Sequence, residues 1–204
     1  MNTKNQNRIQ KAKNIFRDNE GILRMSQALR LGIDRETLYG MRDSGDLVQE
    51  GRGIYRLAEF PPLSYPGFSK VALRSSDAVI CLNSALYFHG LTTQIPQKVY
   101  IALPRGAWRP KIESVELDVV TLSGKAYSAG IEEHNLDGIH VKIYNAEKTV
   151  ADGFKFRSKI GEGIAIEALK DYLSQPGIKL DDLMQYARMN QVDQLIMPYL
   201  EALL

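Results

Sequence analysis

Hydrophobic residues recur at helical spacing three times within the first 45 positions of the chain. The first stretch sets one apolar stripe among solvated cations, made of Ile9, Ala12, Ile15 and Phe16. Ser26 and Asp34 stand where the second and third stretches begin, and both are typical N-cap residues. We therefore predict helices over 4–19, 26–31 and 35–44, closed by Gly21, Gly32 and Gly45.

Two short apolar runs follow these helices on either side of a turn that contains glycine. This pattern predicts a β-hairpin over 47–57, with Arg52 in the turn and Arg56 on the second strand. Three short helices followed by a hairpin are typical of a winged helix-turn-helix. We predict such a domain over 1–60.

A cluster of prolines and glycine at 61–67 interrupts the pattern and predicts a domain boundary. Beyond it, strands and helices mix, so the chain is predicted to be α+β, with a larger mixed domain over 61–204. The predicted strands are 98–103, 115–122 and 139–144, the last entered through a turn at Asp137-Gly138. The predicted helices are 70–73, 83–89, 146–159, 164–173, 181–189 and 192–203.

The second and third helices meet the requirements of a helix-turn-helix. Such a unit needs a small residue where the helices cross, here Ala28, and a residue that tolerates positive φ in the turn, here Gly32. It also needs apolar side chains inside the corner, here Leu31, Ile33, Leu38 and Met41.

The third helix would then be the recognition helix. Arginine can bridge a guanine edge or hold a phosphate, and hydroxyl groups bind either bases or phosphates. An arginine at a wing can also enter a minor groove. The candidate DNA-binding residues are Arg35, Thr37, Tyr39 and Arg42 on the helix, with Arg52 and Arg56 on the wing. Some winged helices mediate only protein contacts, and that alternative stays open.

Composition and charge agree with a folded DNA-binding protein. Hydrophobic residues make up 44% of the chain and charged residues 25%, which excludes disordered and fibrous classes. Lys and Arg outnumber Asp and Glu by 11 to 8 in residues 1–60, but are outnumbered by 16 to 15 in the rest. A single cysteine, Cys81, the polar N-terminus and the lack of a long apolar run predict a protein of the reducing cytoplasm, without a membrane segment.

The motifs of catalysis and of cofactor binding are missing from the sequence. The three histidines, His89, His134 and His140, show no metal-ligand spacing, and Cys81 is expected to be a buried core residue. The chain has neither a phosphate-binding P-loop nor a nucleophile elbow. We therefore expect no metal, no cofactor and no enzymatic activity.

The helix predicted over 146–159 carries a basic stripe. Lys148, Lys155 and Lys159 share one face, with Arg157 nearby. One interpretation is a solvated helix face. The other is a docking surface for an acidic protein or RNA, and charge alone does not separate them.

Three stretches resemble the AbiE antitoxins of bacterial type IV toxin–antitoxin (abortive infection) systems. The first is the winged-helix segment, which runs from Ser26-Gln27-Ala28-Leu29-Arg30-Leu31-Gly32-Ile33 through Gly45-Asp46-Leu47 to Gly51-Arg52-Gly53-Ile54-Tyr55-Arg56-Leu57. The others are the strand 98–104, and the strand before Asn145 with the helix start 146–152. Many members have Ser-Pro where this chain has Asn145-Ala146.

This resemblance implies a bifunctional protein. Such antitoxins repress their own operon by binding inverted repeats of double-stranded DNA in the promoter. They also counteract a nucleotidyltransferase-like toxin without forming a stable complex with it. The C-terminal domain is linked to antitoxicity, for which the candidates by charge and position are Lys148, Lys155, Arg157 and Lys159.

Overall fold

The computed structural model describes residues 3–203, with side chains from Asn5 onward. The protein is α+β, as predicted, and forms two compact units. The first unit is the chain up to Arg74 together with Asn135–His140. The second unit holds Ser75–His134 and the chain from Val141 onward. The first unit thus extends beyond the proline-containing segment that suggested the boundary.

The first unit contains the predicted helices and hairpin, with one further strand. The strand β1, which the sequence pattern did not predict, pairs antiparallel with β3, and the sheet has the order β1-β3-β2. The elements are α1 (Thr3–Arg17), β1 (Ile22–Arg24), α2 (Met25–Arg30), α3 (Arg35–Asp43), β2 (Leu47–Gly51), β3 (Ile54–Leu57) and α4 (Pro66–Arg74).

Asp34 and Ser26 are the predicted N-caps of the third and second helices. Asp34 is the N-cap of α3, where its carboxylate accepts the Thr37 N–H at 2.8 Å, as predicted. The prediction of Ser26 as the cap of α2 is wrong. Because β1 runs directly into this helix, the cap position falls on Arg24, whose N–H donates to the Gln27 side chain at 3.0 Å.

The corner of the helix-turn-helix is closed as predicted, with one exception. Gly32 has a φ of +89°, which confirms its place in the turn. Ala28, Ile33, Leu38 and Met41 are buried together with the apolar stripe of α1. Leu31 was expected inside this corner, but it is 45% exposed because it lies at the C-cap of α2 and faces out of the core.

The remote segment Asn135–His140 is held in the first unit by polar contacts. The Asn135 amide donates to the Glu20 carboxylate at 3.2 Å, and the Ser64 N–H donates to Asp137 at 2.7 Å. Asp137 and Gly138 have φ values of +53° and +82°, which suit a two-residue hairpin turn. The predicted turn at these residues is therefore present.

The second unit is built on a five-stranded sheet with the order β6-β5-β4-β8-β7. The pairs β4–β8 and β5–β6 are parallel, and β4–β5 is antiparallel. The strands are β4 (Val79–Ile80), β5 (Val99–Pro104), β6 (Leu117–Leu122), β7 (Ile131–Leu136) and β8 (Ile139–Tyr144). The helices are α5 (Leu82–Phe88), α6 (Lys125–Ser128), α7 (Ala146–Lys155), α8 (Arg157–Ile160), α9 (Glu162–Leu173), α10 (Leu180–Asn190) and α11 (Asp193–Leu203).

The helix α7 lies at the centre of this unit. Every residue from Glu147 to Phe154 is buried, among helices that include α5, α9 and α10. Asn145 caps the helix by accepting the Lys148 N–H at 2.9 Å, as predicted. The predicted single helix over 146–159 is divided at Phe156, whose φ and ψ of −102° and 22° depart from helical values.

Candidate nucleic-acid interface

The helix α3 presents a polar face to solvent because its apolar positions are taken by the core. Leu38 and Met41 are fully buried, as predicted. On the opposite side Arg35 is exposed, and Tyr39 exposes 39% of its surface. The recognition-helix surface consists of Arg35, Tyr39 and Arg42.

Thr37 does not share this surface. It is only 7% exposed, and its hydroxyl donates to the Asp34 carboxylate at 3.0 Å. The expectation that Thr37 faces a DNA groove is therefore corrected, because the side chain supports the N-cap of its own helix. The Arg8 guanidinium, 2.5 Å from Asp34, and the Thr37 N–H lower the pKa of that carboxyl to about 2.

The side chains of Arg42 and Tyr39 are arranged together. The guanidinium carbon of Arg42 lies 5.0 Å from the centre of the Tyr39 ring. The same guanidinium donates to the Asp43 carboxylate at 2.7 Å, which raises the pKa of Arg42. Asp43 is exposed on the surface, so an incoming phosphate or guanine edge can replace it as the partner of Arg42.

The wing places a second arginine at the edge of a cleft. Arg52 is exposed in the two-residue turn between β2 and β3, where Gly53 has a φ of +73°. The cleft lies between α3 and the wing, and its lining is Met25, Tyr39, Arg42, Gln49, Arg52, Gly53 and Tyr55.

Gln49 was missed by the sequence interpretation. Strand alternation could have identified it, but the β2–β3 register shifts between Gln49 and Gly51. Such a bulge breaks the period of two on which the pattern depends. The structure thus adds one amide to the polar groups of the cleft.

Arg56 lies on the second strand of the wing, as predicted, but it is not available on the surface. It is 7% exposed, and its Nε donates to Glu50 at 2.7 Å. Its Nη1 donates to the carbonyls of Leu57 and Phe60. The expectation that Arg56 contacts DNA is corrected, because this side chain ties the wing to the following segment.

Comparison with known families addresses this part of the chain. Residues 10–58 match the family model described as transcriptional regulator, AbiEi antitoxin. This part of the chain is similar to the AbiEi antitoxin family. The matched residues run from α1 to the end of the wing, so they include both α3 and Arg52.

The fold of the chain has a counterpart among solved structures. The crystal structure of the RV2827C protein from Mycobacterium tuberculosis is similar with a TM-score of 0.60 at 18% identity. The similarity covers 91% of this chain and 72% of that one. At this identity the likeness concerns the fold alone. No curated protein sequence matches the chain.

Beyond the matched residues 10–58, the predicted basic stripe is not a solvent-facing stripe. Lys148 was expected on the surface, and this prediction is wrong: the side chain is fully buried. Its ammonium group contacts Asp152 at 2.5 Å and lies 4.4 Å from the centre of the Tyr144 ring. Asn190 donates to the same carboxylate at 2.7 Å. Lys148 therefore belongs to a buried polar cluster.

The other three residues of the predicted stripe lie nearer the surface. Lys155 donates to Asn190 at 3.2 Å and so joins the rim of the buried cluster. Arg157 donates to the Phe154 carbonyl at 3.0 Å, and Lys159 pairs with Asp118 at 2.7 Å. The division of the helix at Phe156 separates Lys155 from Arg157 and Lys159.

The remaining features to place are Cys81, groups that could hold a metal ion, and helices that could cross a membrane. Cys81 is buried, as expected, and burial raises the pKa of its thiol. Across residues 3–203, no three His, Cys, Asp or Glu side chains are grouped so as to hold a metal ion. None of the helices in that part of the chain is long and apolar enough to cross a membrane.

Proposed function

We propose that this chain represses its own operon by binding inverted repeats in the promoter, and counteracts a nucleotidyltransferase-like toxin in the cytoplasm. The observation that carries the proposal is the AbiEi match over residues that present Arg35, Tyr39, Arg42 and Arg52 on one winged helix. The regulator family supports DNA as the partner. The family match gives neither the operator nor the identity of the toxin, so both belong to the proposal.

The proposed binding mode follows from the placement of the arginines. In a winged helix, α3 enters the major groove, where Arg35 and Arg42 reach base edges or phosphates. Tyr39 stacks below Arg42 and limits its rotation, so the guanidinium is partly oriented before it meets DNA. Arg52 at the tip of the wing then meets the backbone or the minor groove beside it.

The test is an anisotropy titration of the full chain with the duplex upstream of its own reading frame, at several salt concentrations. A random duplex of the same length is the control. We expect preference for the native duplex and two chains per inverted repeat, since one winged helix would contact each half-site. Equal affinity for both duplexes would contradict operator recognition and favour a winged helix that binds protein.

We further propose that antitoxicity resides in the second unit, on the surface formed by Lys155, Arg157 and Lys159. Lys148 is excluded from this surface because it is buried. The cations at the α7–α8 junction are the part of the predicted stripe that solvent or a partner reaches. A stable complex with the toxin is not required by this proposal.

A further inference from the structure

The second unit carries a cationic loop whose chemistry the proposed repressor function does not use. The loop joins the parallel strands β5 and β6, and its first part is Pro104–Lys111. This first part contains Arg105, Arg109 and Lys111 and no acidic residue, whereas the rest of the loop holds Glu113 and Glu116. All three cations are exposed.

Some exposed cations of the protein are paired with a carboxylate, whereas, among the described side chains, Arg105, Arg109 and Lys111 are not. Arg8, Lys13, Arg17, Arg42, Lys98 and Lys159 each lie within ion-pair distance of a carboxylate. Of the side chains described from Asn5 onward, no carboxylate pairs with Arg105, Arg109 or Lys111. Three positive charges within seven residues therefore face solvent without an internal counter-charge.

An exposed indole stands between these cations. Trp108 is 62% exposed, although burial of so large a ring would stabilise the fold. The loop is anchored close by, because Pro110 is buried and the Arg105 N–H donates to the Leu122 carbonyl at 3.0 Å. The loop backbone is thus anchored on both sides of the indole.

The neighbouring elements add to the same surface. The bond from Arg105 to Leu122 places the loop beside the carboxyl end of β6. The exposed Lys125 begins α6 three residues after Leu122. The carboxyl ends of β5 and β6 lie together because the strands are parallel. Arg105 and Lys125 therefore lie at the same end of the sheet, and Trp108, Arg109 and Lys111 follow Arg105 along the loop.

We propose that the loop residues Arg105, Trp108, Arg109 and Lys111, with Lys125 at the same end of the sheet as Arg105, bind single-stranded nucleic acid. A flat ring between arginines suits a base stacked on the indole with its phosphates on the guanidinium groups. Paired bases within a duplex cannot stack in this way. A protein interface usually buries several apolar side chains, whereas Trp108 is the only exposed large hydrophobic residue of the described loop.

The chain provides its own reporter for this site, because Trp108 is its only tryptophan. Full-length protein is titrated with oligouridylate and oligothymidylate of about twelve nucleotides, a length that spans a typical single-strand site. We expect saturable quenching of tryptophan fluorescence by both, or by the ribo-oligomer alone if the site contacts the 2′-hydroxyl. Matched duplex should bind this site more weakly.

Variants separate stacking from charge, with binding measured by the anisotropy of labelled oligonucleotide. Trp108→Ala should weaken binding at least about fivefold, and Trp108→Phe should retain most of it. Joint replacement of Arg105, Arg109 and Lys111 by Gln should reduce the log–log salt slope by about two units. The matched control replaces three exposed cations elsewhere in the unit by Gln, namely Lys170, Lys179 and Arg188, and should leave binding unchanged.

Three results would overturn the proposal. One is equal loss of affinity in the control variant, which would mean that net charge alone drives binding. Another is quenching by polyglutamate but not by either oligonucleotide, which would assign the loop to an acidic protein partner. The third is quenching of Trp108 by random duplex as strong as by the single strands, measured in Arg42→Ala/Arg52→Ala so that the winged helix does not contribute. Since the substituted side chains are exposed, unchanged thermal unfolding will confirm that each variant is folded.

Discussion

At the scale of single residues, exposure separates the arginines that can reach DNA from those that cannot. Arg52 and Arg56 both belong to the wing, yet Arg52 is exposed and Arg56 is buried against Glu50. The sequence places both on the hairpin but gives no sign of this difference. It depends on Glu50 and on the carbonyls after the strand, which only the folded chain brings together.

We expect Arg42→Ala to weaken operator binding by about 1–3 kcal/mol and to relax preference at one base pair, because a guanidinium at a base edge is lost. Arg42→Lys should recover attraction to phosphate but not bidentate base contact.

Arg52→Ala should weaken binding more evenly across sequences and lower the salt slope by about one unit. Titrations against single-base variants of the operator check both outcomes. If Arg42→Ala keeps the base preference of the wild type, Arg42 contacts the DNA backbone and not a base.

Lys148 supplies a prediction on stability. Lys148→Met should destabilise the second unit by about 3–5 kcal/mol, because it leaves the buried Asp152 carboxylate without its cation. The double variant Lys148→Met/Asp152→Leu should recover part of this loss, although Asn190 then lacks its acceptor. Urea unfolding measures both, with Lys170→Met on the exposed face of α9 as the control. A single variant as stable as the control would contradict the buried pair.

At the scale of elements, caps and periodicity predict the winged helix well and the second unit less well. The stripe of α1, the Asp34 cap and Gly32 are local signals, and each was read correctly from neighbouring residues. The strands β1 and β4 are only three and two residues long, so they show no periodicity. Their existence depends on pairing with β3, β5 and β8, which lie far away in sequence.

The helix α7 shows why the basic stripe was misinterpreted. Its lysine spacing is helical, which for most helices indicates a solvated face. In this unit the helix is enclosed on all sides, so Lys148 is buried and requires Asp152 as a partner. The i,i+4 spacing of Lys148 and Asp152 was visible in the sequence. It does not distinguish an exposed pair from a buried one.

The N-cap of α3 gives a prediction with a defined pH dependence. Asp34→Ala should destabilise the first unit by about 1 kcal/mol near neutral pH, because the Thr37 N–H loses its acceptor. The pKa of Asp34 is lowered from 3.8 to about 2. Its contribution is therefore present above about pH 4 and is lost as the pH falls towards 2.

The measurement is thermal unfolding of wild type and Asp34→Ala between pH 2 and pH 7. The two midpoints should converge at the acid end. Asp34→Asn is the control, since an amide oxygen can still cap the helix but forms no ion pair with Arg8. A constant difference across the whole range would contradict a role for the ionised carboxylate.

At the scale of the whole molecule, the division into units was the hardest feature to predict. The proline cluster suggests an end near residue 60, yet α4 and Asn135–His140 belong to the first unit as well. The contact between Asn135 and Glu20 joins residues 115 positions apart, and the one between Ser64 and Asp137 spans 73. Local pattern contains no information about such pairings.

The proposed repressor and antitoxin activities are assigned to different units, so mutations should separate them. Arg42→Ala/Arg52→Ala should abolish promoter binding yet preserve rescue from the toxin, because both residues lie in the winged helix of the first unit. Arg157→Gln/Lys159→Gln should do the reverse, because both residues lie in the second unit. Lys155 is left unchanged, since it donates to Asn190 at the rim of the buried cluster and its loss could weaken the fold.

Rescue is measured by co-expression from a promoter that the protein does not repress, so that altered autoregulation cannot change the dose. Neutral glutamine is used because a reversed charge at residue 159 would stand beside Asp118 and repel it. Full rescue by Arg157→Gln/Lys159→Gln would remove these residues from antitoxicity and leave them as a solvated face. Parallel loss of rescue and promoter binding in both variants would contradict the separation itself, because antitoxicity would then require the DNA-bound protein.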